Sequence, residues 1–156
     1  METFFNPLSV AIVGATEKPG SLPGIILKNL LSMGFKGKMY PVNPKYETVF
    51  GLNCFPSILD IPDEVALTVI AIPAPWVLDV LQQQAHKRIH HAIIISAGFR
   101  EKGAEGIEME ERIRRVAIEN DMRILGPNCL GVLDNYTNFT TSFLSWERVS
   151  IPKKGS

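Results

Sequence analysis

Leu8-Ser9-Val10-Ala11-Ile12-Val13 is a β-branched apolar run stopped by Gly14, and Gly14-Ala15-Thr16-Glu17-Lys18-Pro19-Gly20-Ser21 carries it into Ile26, Leu27, Leu30 and Leu31 at helical spacing. A continuous apolar run of this length suits a strand buried on both faces. Pro23 and Gly24 stand near the start of the helical pattern, where a proline is tolerated. The same alternation recurs along the chain. Lys38-Met39-Tyr40-Pro41-Val42 reads as a second strand ended by Asn43-Pro44, and Ala66 to Ile72 as a third ended by Pro73-Ala74-Pro75. A helix follows, with Val77, Leu78, Leu81 and Ala85 inward. Ala92 to Ser96 is a fourth strand ended by Gly98, and Met109, Ile113, Val116, Ala117 and Asn120 mark a longer helix. Met122 to Leu125 is a fifth strand ended by Gly126-Pro127, and Leu130 to Leu133 is a candidate sixth. Strands alternating with helices through tight connections predict an α/β fold. It is Rossmann-like and doubly wound, a mostly parallel sheet with helices on both faces.

Composition agrees with that class. The chain has 156 residues, 46% hydrophobic and 21% charged, with 16 basic and 16 acidic side chains and therefore no net charge. Its length suits one domain with a full core. A pI near 6.8 supplies no general field for nucleic acid or anionic lipid. No apolar run approaches the roughly 18 residues of a membrane span. The opening Met1-Glu2-Thr3-Phe4-Phe5-Asn6-Pro7 lacks the basic and then apolar pattern of a signal peptide. Cys54 and Cys129 are too few and too isolated for a disulfide framework or a zinc site. A cytoplasmic, reduced protein is expected.

Nine of the 12 glycines and 11 prolines gather at the carboxyl ends of the strands: Gly14 and Gly20, Pro41 and Pro44, Pro73 and Pro75, Gly98, then Gly126 and Pro127. That edge of an open parallel sheet is where ligands bind. Turn residues are needed at any strand end, but five such loops on one edge favour a ligand. In the first loop, the backbone amides, the Thr16 and Ser21 hydroxyls and the helix N-terminus make an anion site suited to a phosphate. The loop is neither G-x-G-x-x-G nor a P-loop. An NAD site places an acid at the end of the second strand to meet the ribose hydroxyls. Here Val42-Asn43-Pro44-Lys45 puts a cation there instead, which suits a nucleotide carrying a ribose phosphate, such as NADP or coenzyme A. Pro73-Ala74-Pro75 offers a flat, uncharged wall, and Pro75 is placed to open the next helix. Ser96-Ala97-Gly98 supplies small residues over which a ligand could lie.

Taken in order, Val42-Asn43-Pro44-Lys45, Ile72-Pro73-Ala74-Pro75, Ile95-Ser96-Ala97-Gly98-Phe99 and Gly126-Pro127-Asn128-Cys129-Leu130-Gly131 resemble the CoA-binding domain of the ADP-forming acyl-CoA synthetases. Succinyl-CoA synthetase α subunits are more distant kin. The resemblance runs from about Leu8 to the chain's end. It implies a coenzyme A site with Gly14, Thr16, Gly20, Ser21 and Leu22 on the phosphate loop. Val42 and Asn43 would lead to Lys45, which would face the nucleotide phosphates. Pro73, Ala74 and Pro75 would flank the adenine and pantetheine path, with Ser96, Ala97 and Gly98 beside it and Asn128 near the thiol. The α subunits carry Glu in place of Ala97, have a shorter first loop, and many relatives have Gly in place of Pro23.

The resemblance further implies that catalysis lies elsewhere. In such synthetases a histidine of the next domain takes up the phosphoryl group, and an ATP-grasp part binds the nucleotide. His86, His90 and His91 fall at the amino end of the fourth strand, opposite the ligand edge, and read as surface or helix-end residues. No catalytic residue and no metal ligand is expected among these 156. Residues 1–150 are expected to form the CoA-binding domain, with 151–156 opening a linker to a second domain.

Cys129 has no histidine near it in sequence and reads as a structural thiol. Glu101, Glu105, Glu108, Glu110 and Glu111 read as a solvated helix start favoured by the helix dipole. Asn135-Tyr136-Thr137 and Asn138-Phe139-Thr140 match the glycosylation sequon, which a cytosolic chain does not use. Trp76 and Trp146 read as packing residues. Two other readings share this fold: an NAD(P)-binding dehydrogenase fragment, and a CoA-sensing regulatory domain fused to an acyltransferase.

Overall fold

Five parallel strands carry the molecule in the computed structural model, which describes residues 2–144. They are β1 (Ser9–Val13), β2 (Lys38–Val42), β3 (Leu67–Ile70), β4 (His91–Ile94) and β5 (Arg123–Leu125). Their order in the sheet is β2-β1-β3-β4-β5. The doubly wound parallel fold is as the sequence predicts, and the order adds what a sequence pattern does not carry. Every neighbouring pair is parallel.

The register shows why the strand sequences are continuously apolar. Tyr40, Ala11, Thr68, Ala92 and Ile124 stand side by side across the sheet, and the next row is Pro41, Ile12, Val69, Ile93 and Leu125. Adjacent rows face opposite sides. The first packs with α2 (Val77–His86) and α3 (Ala104–Glu119) through Val77, Leu81 and Ile113. The second packs with α1 (Leu22–Met33) through Ile26, Leu27 and Leu30. Each such Ile or Leu, removed from water, contributes about 1.5–3 kcal/mol. Pro41 has no N–H to give, and it sits in β2, an edge strand, where that costs least. Thr68 is buried yet satisfied: its hydroxyl donates to Gln84 Oε1 at 2.7 Å, and Gln84 Nε2 donates to the Ile89 and His91 carbonyls.

The expected sixth strand is displaced. Only Leu133 of the Leu130–Leu133 segment lies in a strand, and Leu133–Asp134 pairs antiparallel with Phe139–Thr140, outside the main sheet. The Val132 N–H is taken by the Thr141 hydroxyl at 2.9 Å. This ladder packs on the α1 side, where Phe139 is buried against Phe35. Asn29 of α1 fastens the chain just beyond the ladder, donating to the Ser142 and Leu144 carbonyls. Pro75 does not open α2; it lies in a single turn of 3-10 helix, Ala74–Trp76, and α2 begins at Val77. Trp76 is 64% exposed and so is not a packing residue. Trp146 and the expected linker at 151–156 lie outside the described residues. Among the described residues no helix is long and apolar enough to cross a membrane.

Candidate functional site

The order β2-β1-β3 puts a switch point between β1 and β3, because β1 leads to α1 on one face and β3 to α2 on the other. A crevice opens at such a point, outside the carboxyl ends of the strands. Gly14 stands in it with φ +94°, and a Cβ there would lie 2.7 Å from the Ala71 carbonyl oxygen. The two loops therefore approach as closely as backbones can.

The first loop folds back on the helix it feeds. Ser21 caps α1, its Oγ accepting the Gly24 N–H at 3.3 Å, and the Ser21 N–H donates to the Lys18 carbonyl. Thr16 is buried, accepts the Lys18 N–H at 3.2 Å, and donates to the Tyr46 phenol oxygen. Thr16 thus commits its proton within the protein, whereas Ser21 accepts a bond and keeps its own O–H. Gly20 and Leu22 are exposed beside them. Glu17, an unwelcome charge near a phosphate, is turned away: its carboxylate accepts the Phe50 N–H at 2.6 Å.

The second loop is fixed by Asn43, which continues β2 past the buried Val42. Its Nδ2 donates to the Ala15 carbonyl at 2.9 Å and its Oδ1 accepts the Lys45 N–H at 3.0 Å. Lys45 is exposed and lines an open groove of about 530 Å³ with Pro44, Tyr46, Glu47, Asn53, Cys54 and Pro56. No carboxylate stands at Asn43 itself, where a dinucleotide fold would bind ribose.

Ser96 joins the remaining loops. Its Oγ accepts the Ile72 N–H at 3.1 Å, and its carbonyl accepts the Asn128 N–H at 3.0 Å. Ala74 is buried, with Pro73 and Pro75 exposed on either side, and Ala97 is exposed. A Cβ on Gly98 would come within 3.1 Å of the Ala74 side chain. Asn128 is exposed with φ 55°. Behind the third loop a small cavity of about 70 Å³ lies between α2 and α3, lined by Ala74, Pro75, Leu78, Phe99 and Met109 among others.

The Gly98 N–H donates to Glu101 Oε1 and, with further backbone amides, holds that carboxyl below its usual range. Burial pushes the Cys129 thiol up, and its S–H donates to the Ile94 carbonyl at 3.5 Å. A protonated, hydrogen-bonded thiol is a poor nucleophile. His91 begins β4, with His90 just before it and His86 ending α2, all away from this edge.

Of the residues singled out from sequence, those from Gly14 to Asn128 therefore lie along one sheet edge, most on its five loops, with Val42 closing β2 and Leu22 opening α1. Tyr46, which lines the groove beside Lys45, is not among them; its signal in the sequence is an aromatic directly after the Asn-Pro-Lys turn.

Residues 8–135 match the family model described as CoA binding domain. The chain belongs to that family. Over 144 residues it is 46% identical to an ADP-forming acetate–CoA ligase II of Archaeoglobus fulgidus, covering 92% of this chain and 21% of the ligase. It is 41% identical over 147 residues to the α subunit of ADP-forming acetate–CoA ligase I of Pyrococcus furiosus, covering 92% of this chain and 32% of the subunit. Among solved structures, acetyl-coenzyme A synthetase 1 of Ca. Korarchaeum cryptofilum, in complex with phosphate and ADP, superposes with a TM-score of 0.87. That pair is 41% identical, over 91% of this chain and 30% of the other. This CoA-binding domain is homologous to part of the ADP-forming acyl-CoA synthetases, and it spans about a fifth to a third of the length of these relatives. Neither the dehydrogenase reading nor the acyltransferase regulator gains support.

Proposed function

We propose that this domain binds coenzyme A across the carboxyl edge of the sheet and serves an ADP-forming acyl-CoA synthetase. One observation carries the reading: at the end of β2, where a ribose-binding acid would stand, Asn43 locks the backbone and Lys45 borders an open groove. A cation there complements the 3′-phosphate of coenzyme A and has no partner in NAD. The first loop takes the pyrophosphate on the backbone amides of the exposed Gly20 and Leu22 at the α1 N-terminus. Ala74 and its flanking prolines wall the path of adenine and pantetheine. Ser96, Ala97 and Gly98 continue that path, and Asn128 lies near the thiol end.

Under this reading residues 1–150 are the binding module. The acid, ATP and phosphoryl chemistry of the whole reaction (acid, CoA and ATP to acyl-CoA, ADP and phosphate) belongs to further domains or a partner subunit. Two free cysteines fit a reducing, cytoplasmic setting.

Calorimetry with CoA, dephospho-CoA, NADH and NADPH tests it. CoA is expected to bind most tightly and NADH not at all. A chain that bound NADH and ignored CoA would sink the reading.

A further inference from the structure

Thr16 is only 9% exposed, and its one hydroxyl proton is committed within the protein. It accepts the Lys18 N–H and donates its single proton to the Tyr46 phenol oxygen, each at 3.2 Å. It therefore has no proton left for a ligand. Tyr46 is 42% exposed and, having accepted that bond, keeps its own O–H for a further acceptor. It lines the same open groove as Lys45. The two are set in one turn by Asn43, whose side chain accepts the Lys45 N–H and whose carbonyl accepts the Tyr46 N–H. A donor chain running from Lys18 N–H through Thr16 O–H to Tyr46 O–H polarises each link and strengthens the last.

We propose that Tyr46, rather than Thr16, is the hydroxyl that meets the nucleotide ligand, donating to an oxygen of the phosphomonoester held beside Lys45. Thr16 is then a positioning residue for the phenol. The inference rests on the coenzyme A reading above and adds to it the residue that discriminates a phosphorylated from an unphosphorylated ribose.

Tyr46→Phe removes one oxygen and leaves the ring, so calorimetry on this variant isolates the bond. CoA is expected to bind about tenfold more weakly, the worth of a hydrogen bond to a charged group, and dephospho-CoA within about twofold of the parent chain. A merely structural role for Tyr46 would weaken both ligands together. Thr16→Val should weaken CoA by a smaller factor, and should add little in the Tyr46→Phe background, since its effect passes through the phenol. Unchanged CoA binding by Tyr46→Phe overturns the inference, as do equal losses for both ligands or a Thr16→Val effect undiminished in the double variant. In those cases the parent chain still binds CoA and the broader reading stands. A parent chain that binds neither ligand removes both.

Discussion

The side-chain amide of Asn43 donates to the Ala15 carbonyl oxygen across 2.9 Å, tying the end of β2 to the loop that leaves β1. In a dinucleotide fold the residue at this place reaches outward to the ribose. Here it reaches inward, and its oxygen also accepts the Lys45 N–H. One side chain thus orders both the loop after β1 and the turn that presents the lysine. With Glu17 bound to Phe50 and Thr16 to Tyr46, the loop after β1 and the segment after β2 form one body.

Asn43→Ala breaks two hydrogen bonds, one half-buried and one exposed. The expected loss of stability is about 1–3 kcal/mol, and CoA affinity should fall with it. Thermal melts and calorimetry on the same preparation check both. A variant as stable as the parent would mean that the two loops hold together without Asn43.

Lys45→Ala should separate two ligands that differ by one phosphate. A lost charge-assisted contact weakens CoA by about 1–2 kcal/mol, while dephospho-CoA is little changed. Raising salt should narrow the gap, because Lys45 is exposed and screened. Equal losses for both ligands would remove the lysine from the 3′-phosphate.

The five strands and three helices were legible because two-sided burial writes itself as continuous apolar runs, as in Val10 to Val13 and Leu67 to Ile70. The strand order was not, since it depends on packing between distant segments. Two-residue ladders such as Thr48–Val49 with Leu52–Asn53 carry too short a pattern to be read. Leu130 to Leu133 differs from the expected strand because an apolar run of four does not say which partner it pairs with, and the Thr141 hydroxyl takes the Val132 N–H. Lys45 was legible as a cation where an acid is customary. Tyr46 was not, because its part depends on a hydroxyl from a different loop.

His91 predicts a pH dependence of stability. Its ring packs edge-on against Phe4 at 5.3 Å, and burial first, then positive charge including Arg123 and His90, lowers its pKa below 6.5. The unfolded chain therefore binds a proton more readily than the folded one. Stability should fall as pH drops through the unfolded value, about 6.5, and level off only below the lower folded value. His91→Gln should flatten the melting temperature between pH 7.5 and 5.5, a range above the carboxylate titrations. An unaltered slope would assign the effect to another group.

Both cysteines should be sluggish toward alkylation. Burial raises the thiol pKa of Cys54 and of Cys129, and each S–H donates to a backbone carbonyl. At pH 7 the folded chain should react with iodoacetamide about tenfold or more slowly than an exposed cysteine, and at the ordinary rate in denaturant. Fast labelling of folded Cys129 would return it to candidacy as a nucleophile.

Gly24→Ala tests how the first loop is held, and here a general rule and the local geometry point in opposite directions. Alanine in place of glycine inside a helix ordinarily stabilises by up to about 1 kcal/mol. At Gly24, in the first turn of α1, a Cβ would lie 2.4 Å from the Thr16 carbonyl oxygen and 2.5 Å from Ser21 Oγ. Neither neighbour is the end of a flexible chain: one is backbone, and the other is the cap of the helix. To admit the methyl, the loop must move off the helix, losing the Ser21 cap, about 1 kcal/mol, and disturbing Thr16 with its bond to Tyr46. The overlap outweighs the propensity, so the variant should be less stable than the parent by about 1–3 kcal/mol, with weakened CoA binding. Leu30→Ala supplies the comparison, because its side chain is buried under the sheet six residues further along α1. It should cost about 2–5 kcal/mol of stability yet leave CoA affinity unchanged at temperatures where the chain is folded. A Gly24→Ala chain more stable than the parent, or one that binds CoA equally well, would show that the first loop does not depend on its contact with the helix.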